Sequence, residues 1–308
     1  MRGMRQALAS VLAASASAAG AESALMNALF PAEQREVAML GSVAVDRFAG
    51  RDGIALSNAL ERALLAPSRD GRPHFDVVPI GRRGDPGGAE GVISGAVSTE
   101  VSQNEFAKTE KRCVEKDGPM CKKYEDARVI CQRRVIDFRV DVRVADFASN
   151  RVLYSAERPK RDEASWCEGQ QPPRGVEEAV RGMIGATVAE LVRAFAPRFE
   201  RYSVRFREGT KGMPKDLDRR FKAVVKQSQR DLPVACEAWR VIDGEAPNHP
   251  SVLFNLGLCS EAQGDYAKAA EIYARAAPLM GRGNEAEIGV DRVAGLIAAK
   301  RDEAERGR

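Results

Sequence analysis

The tightest constraint in this chain is the alternation from Ile136 to Val144. Ile136, Phe138, Val140, Val142 and Val144 are apolar, and Asp137, Arg139, Asp141 and Arg143 between them are charged. A helix would scatter these positions around its circumference. A strand puts all the apolar ones on one face and all the charges on the other. The stretch therefore predicts a half-buried strand with one solvated face. Ala148-Ser149-Asn150 turns the chain, and Arg151–Arg158 returns with Val152, Tyr154 and Ala156 on one side. If the hairpin centres on Ser149, opposed residues have numbers that sum to 298. Val144 then faces Tyr154 and Val142 faces Ala156, apolar against apolar.

The same sum pairs Cys131 with Cys167, provided the register holds for eighteen residues on either side of Ser149. Opposed Cβ atoms lie about 4.5–5.5 Å apart, close to what a disulfide needs. Cys113 and Cys121 flank Asp117-Gly118 and would close another turn. The rival pairing is 113–131 with 121–167. Cys236 and Cys259 complete an even set of six. They are expected on adjacent helices, as a bridge or as two buried thiols. Cysteine used this way fits an oxidising compartment. No Cys-x-x-Cys occurs, and the only histidines, His74 and His249, lie far from the cysteine cluster in sequence, so no metal site is expected.

Export is also suggested by the N-terminus. Arg2 and Arg5 precede an uncharged Ala7–Ala21 run ending in Ala19-Gly20-Ala21, which reads as a signal peptide over residues 1–21. Beyond it, no run of eighteen strongly apolar residues predicts a membrane-spanning helix. With 308 residues the chain can hold two cores. A net charge of +4 is too small to point to nucleic acid.

The first domain, expected over 22–208, combines strands and helices. Residues 22 to 42 read as helical or irregular. Strands are predicted at Ser42–Phe48, His74–Ile80 and Val92–Val101, with a helix over Ile54–Ala66 carrying Leu56, Leu60 and Leu64 on one face. Glu115 to Tyr124 reads as a turn or short insertion. A long helix is predicted from Gly175 to Ala196 and a short strand from Tyr202 to Phe206. The Gly- and Lys-rich segment Gly209–Pro214 is the expected domain boundary.

Residues 209–308 read as helical. Asn255-Leu256-Gly257, the turn Gly264-Asp265-Tyr266, and Ala269, Tyr273 and Ala276 together resemble a tetratricopeptide repeat. Small residues at 257, 269 and 276 would let helix backbones approach, with Leu256 and Tyr273 filling the space beside them. One period earlier, Ala235, Trp239 and Pro247 fit a weaker copy, and Glu285–Arg306 reads as a capping helix. The first domain resembles the periplasmic domain of the curli-secretion lipoprotein family and the N-terminal domain of the Tol translocation protein. The residues carrying this are Val43–Phe48, Phe75–Val78, Gly91–Gly95 and Val142–Phe147 with Arg151–Ser155. The fold class expected is thus α+β: a mixed sheet with flanking helices, followed by an all-α tetratricopeptide helical-repeat domain.

These resemblances imply a non-enzymatic, periplasmic adaptor or scaffold of the bacterial cell envelope. It would bind protein partners, with outer-membrane association as a further expectation. The alternatives are an activator of a peptidoglycan synthase, or an enzyme whose site the sequence does not reveal. The repeat resemblance implies a partner-binding role for Asn255. No cofactor and no catalytic residue is expected. Gly81-x-x-Gly84-x-x-Gly87-Gly88 lacks the Gly-Lys-Ser/Thr of a phosphate loop. Asp137 and Asp141 alternate with arginines, which favours cross-strand ion pairs over acid–base chemistry.

Overall fold

The computed structural model describes residues 22–67, 71–81 and 86–307. The expected signal peptide and part of the Gly81–Gly88 loop lie outside these residues. The chain divides into two compact units. One holds the chain up to Asn27 with Arg201–Ile297, and the other holds Ala28–Glu200 with the chain from Ala298 onward. Both are discontinuous, unlike the boundary expected at 208/209.

The elements run in the order β1 (Ser23–Phe30), α1 (Arg35–Ala38), β2 (Ser42–Val45), α2 (Gly53–Leu64), β3 (Asp76–Val77), β4 (Gly91–Asp117), β5 (Met120–Asp146), β6 (Val152–Cys167), α3 (Val176–Phe195) and β7 (Arg198–Arg205). Then come α4 (Lys215–Ser228), α5 (Leu232–Glu245), α6 (Pro250–Ala262), α7 (Tyr266–Ala276) and α8 (Glu285–Glu305). The helical or irregular reading of residues 22–42 is corrected over its first third. Ala24, Met26 and Ala28 alternate with exposed neighbours, which makes Ser23–Phe30 a strand, paired with β7.

In the α/β unit a five-stranded sheet runs β3-β2-β4-β5-β6. β2 is parallel to β3 and β4, and the remaining pairs are antiparallel, so the sheet is mixed. The β5–β6 register sets Val144 opposite Tyr154 and Val142 opposite Ala156. Ile136, Phe138, Val140, Val142 and Val144 are buried in one cluster with Leu56, Leu60 and Leu64 of α2 and Val188, Leu191 and Phe195 of α3. Both helices therefore cover the same face of the sheet. Each fully buried leucine contributes about 1.5–3 kcal/mol towards docking α2 on the sheet. The other face is wet, with Asp137 bound to Arg161 at 3.3 Å and Arg139 to Glu157 at 3.7 Å.

The strand expected to end at Val101 does not end there. β4 runs on to Asp117 and β5 returns from Met120, pairing as far as Asp117↔Met120. β6 accompanies β5 only as far as Cys131↔Cys167. From Phe106 to Cys131 the hairpin is thus a two-stranded ribbon with no third strand, about 35 Å long at a strand's rise per residue. The turn or insertion expected over Glu115–Tyr124 is its tip.

The other unit is built on α6. Every residue from Ser251 to Glu261 is buried, the pattern of a helix packed on all sides. α6 packs against both α5 and α7. The Tyr273 ring fills the space between two glycines, since a Cβ on Gly257 would sit 2.5 Å from it and one on Gly289 2.9 Å from it. The expectation of an all-α C-terminal domain is corrected. Strand residues Ala24 and Met26, with Phe206 just after β7, are buried in the same core as Phe221, Trp239 and Phe254. A strand pair is therefore part of this unit as well as helices.

Candidate interaction surfaces

Asn255 is not on a surface. It is 0% exposed, its Oδ1 accepts from the Arg207 backbone N–H at 2.9 Å, and its Nδ2 donates to the Arg207 carbonyl at 3.0 Å. Both halves of the amide are spent on one residue of its own chain. The partner-binding role for Asn255 is corrected for that reason: the amide is buried and bonded to its own backbone, so it presents no group at a surface.

Nearly two turns further along α6, Glu261 is also buried, at 2% exposure. It accepts from Tyr202 Oη at 2.8 Å, Tyr273 Oη at 2.6 Å, Arg292 Nε at 2.6 Å and Arg292 Nη2 at 2.8 Å. Burial, and then the Glu261 charge, push both tyrosine hydroxyls well above the usual tyrosine range. Burial works to lower the Arg292 guanidinium, but the hydrogen bond and charge of Glu261 outweigh it and hold it above its ordinary value. The network pairs one acid with one arginine, and it joins one strand and three helices within the unit.

The two histidines are engaged apart from each other. His74 Nε2 lies 2.9 Å from the Ala38 carbonyl, and His249 Nε2 lies 3.2 Å from the Lys211 carbonyl. Burial lowers the His249 imidazole below its ordinary value. Among the described residues, no group of three His, Cys, Asp or Glu side chains could hold a metal ion. A cavity of about 340 Å³ in the α/β unit is lined mostly by Leu64, Pro67, Phe75, Val192 and Pro197, with Arg198 and His74 at its polar edge. Arg198 Nε is bound to Glu200 at 2.5 Å, and its guanidinium lies over the Phe30 ring.

The ribbon is the feature that the core does not explain. Three disulfides form: Cys113–Cys121, Cys131–Cys167 and Cys236–Cys259. Cys131–Cys167 clamps the point where the ribbon leaves the sheet, with Val129 buried against it. Cys113–Cys121 closes the other end, just before the Gly118 turn at φ 57°. An isolated hairpin is marginal in water. In the chain-entropy account, staples closing loops of this length contribute about 2–4 kcal/mol each. They stabilise a segment whose side chains are mostly exposed, among them Met120 at 71%, Tyr124 at 60% and Val114 at 52%. The sequence signal for the ribbon was the pair of cysteines around Asp117-Gly118-Pro119. The alternation that finds half-buried strands is missing because both faces of the ribbon are wet.

Searches for related proteins return no matching family model and no matching curated protein. Among solved structures, the chain is similar to the PelC dodecamer from Paraburkholderia phytofirmans, at 16% identity and a TM-score of 0.28. A single-residue variant of that protein matches at 18% and 0.27. Each alignment covers 55% of this chain and 96% of PelC. The tetratricopeptide, curli-secretion and Tol resemblances drawn from the sequence are corrected, since no family model matches and the cores differ from an all-helical repeat domain. The chain's largest core is built on a β-sheet, and its helical hairpins share their unit with a strand pair.

Proposed function

We propose that this protein is a non-enzymatic adaptor of the bacterial cell envelope, exported to the periplasm, which docks other envelope components through the Phe106–Cys131 ribbon. The observation that carries this reading is the placement of two disulfides at the two ends of that ribbon. Cross-links that stiffen a segment outside any core lower the entropy lost when it meets a partner. Three disulfides also fit folding in an oxidising compartment. No helix of the described residues is long and apolar enough to cross a membrane. Association with the outer membrane belongs to the same proposal and would run through the ribbon.

The test is a shortened hairpin. Lys108 and Val129 are opposed, so replacing Thr109–Arg128 with Asn-Gly leaves a two-residue turn and keeps Cys131–Cys167. This variant is expected to fold with an unchanged melting profile and to lose the partners that co-purify with the intact chain from envelope extracts. A folded variant that retains all of them would refute the proposal.

A further inference from the structure

The end of the ribbon has a chemistry of its own. Within 111–124 the cations are Lys111, Arg112, Lys116, Lys122 and Lys123, against only Glu115 and Asp117. Lys122 pairs with Asp117 at 3.0 Å and Lys123 with Glu125 at 2.7 Å, both on the surface. Lys111, Arg112 and Lys116 form no ion pair among the described residues. Met120, 71% exposed, sits in the last rung opposite Asp117, beside the Gly118-Pro119 turn, and Val114 and Tyr124, 52% and 60% exposed, share a level a few residues back, where Val114 is the extra residue of a bulge. Aliphatic side chains at a tip with a collar of lysines suit two adjoining environments, one apolar and one anionic.

We propose that the ribbon tip docks on an anionic phospholipid surface, with Val114 and Met120 entering the interface and the basic collar on the headgroups. This rests on the adaptor reading and names what one end of the adaptor holds. A protein partner is the less favoured occupant. Protein interface cores are depleted in lysine, whereas this tip carries four lysines and one arginine against two acids, with Val114, Met120 and Tyr124 exposed among them. Lysine collars with an apolar point are what interfacial segments present to anionic bilayers. Insertion is shallow: Lys108, Glu125 and Asp126 further down the ribbon are charged and exposed, so the stem stays in water.

The experiment is flotation of the full-length oxidised protein with vesicles of phosphatidylcholine alone and of phosphatidylcholine mixed with phosphatidylglycerol. Binding is expected only to the mixed vesicles. Each basic residue near such a surface is worth about fivefold in affinity, so Lys116→Glu/Lys122→Glu/Lys123→Glu should weaken binding on the order of 100-fold or more. Met120→Asp should weaken it with all basic residues kept, which separates insertion from charge attraction alone. No binding to mixed vesicles, equal binding to neutral ones, or unaltered binding by the triple variant overturns the inference. If the tip binds no lipid but the shortened hairpin still loses its partners, the inference fails and the adaptor reading stands. If the shortened hairpin keeps every partner, the adaptor reading itself fails.

Discussion

Replacing Arg292 with Met exposes how the helical unit tolerates a buried acid. Glu261 has no exposed side-chain surface, and among the described residues Arg292 is the only cation bound to it, through two hydrogen bonds of 2.6 and 2.8 Å. Met matches the aliphatic part of arginine closely, so packing against Tyr202 and Tyr273 changes little. What remains is a carboxylate held by two tyrosine hydroxyls in a dry site. Removing one partner of a buried ion pair costs about 3–5 kcal/mol, because the survivor stays desolvated. Arg292→Met should therefore lose about 3–5 kcal/mol in urea unfolding followed by circular dichroism. The second variant is Glu261→Gln with Arg292→Met. The amide still accepts from the tyrosines and carries no charge, so the double variant should be more stable than Arg292→Met alone by at least about 1 kcal/mol. If Arg292→Met costs under about 1 kcal/mol, or the double variant is less stable than the single, Glu261 is not the buried, arginine-compensated acid described above.

Other variants test separate parts of the structure. Gly257→Ala should destabilise by about 1–3 kcal/mol despite the better helix propensity of alanine, because the new Cβ would lie 2.5 Å from the immobile Tyr273 ring; Gly289→Ala, at 2.9 Å, should cost less, and the reverse order in thermal melts would place the ring wrongly. His249 is held below its ordinary 6.5 by burial, so the unfolded chain takes up the proton first as pH falls. Stability should therefore decline below about pH 6.5 on this account, and His249→Gln should flatten the decline; an identical profile in the variant would show that another group is responsible. Peptide mapping without reductant should find links 113–121, 131–167 and 236–259 in protein recovered from the periplasm, with an N-terminus near Glu22. Free thiols and an intact Met1 in the cytoplasmic fraction would contradict export.

What could be read from the sequence depended on whether a segment has a dry side. β5 alternates cleanly because one face meets α2 and α3 and the other meets water, so its register against β6 follows from the residues. The ribbon has water on both faces, and lysine and glutamate appear in it without period. The pattern therefore shows only Val92–Val101 of one strand and the stretch from Ile136 of the other. β1 was misread because Ser23-Ala24-Leu25-Met26-Asn27 alternates only weakly, exposing Leu25 while burying Ala24. Asn255 and Glu261 illustrate a different limit. Each is an ordinary polar residue on its own helix. Their partners, Arg207 for one and Tyr202, Tyr273 and Arg292 for the other, lie 12 to 59 residues away in sequence. Nothing local announces such pairs. Gly257 was easier, because a glycine in a helix interior costs stability unless something needs the space.

The claim that the stapled ribbon is the docking arm is tested most directly by photocross-linking in living cells. A photoreactive side chain in place of Tyr124 is compared with one in place of Ile288, which is 58% exposed on α8. The adaptor reading predicts discrete adducts, to protein or to phospholipid, from position 124 and not from 288. It also predicts that those adducts fall when Cys113 and Cys121 are both replaced by Ser, because the arm loses its staple. Adducts only from 288, or none from 124 in a folded, exported chain, would contradict it.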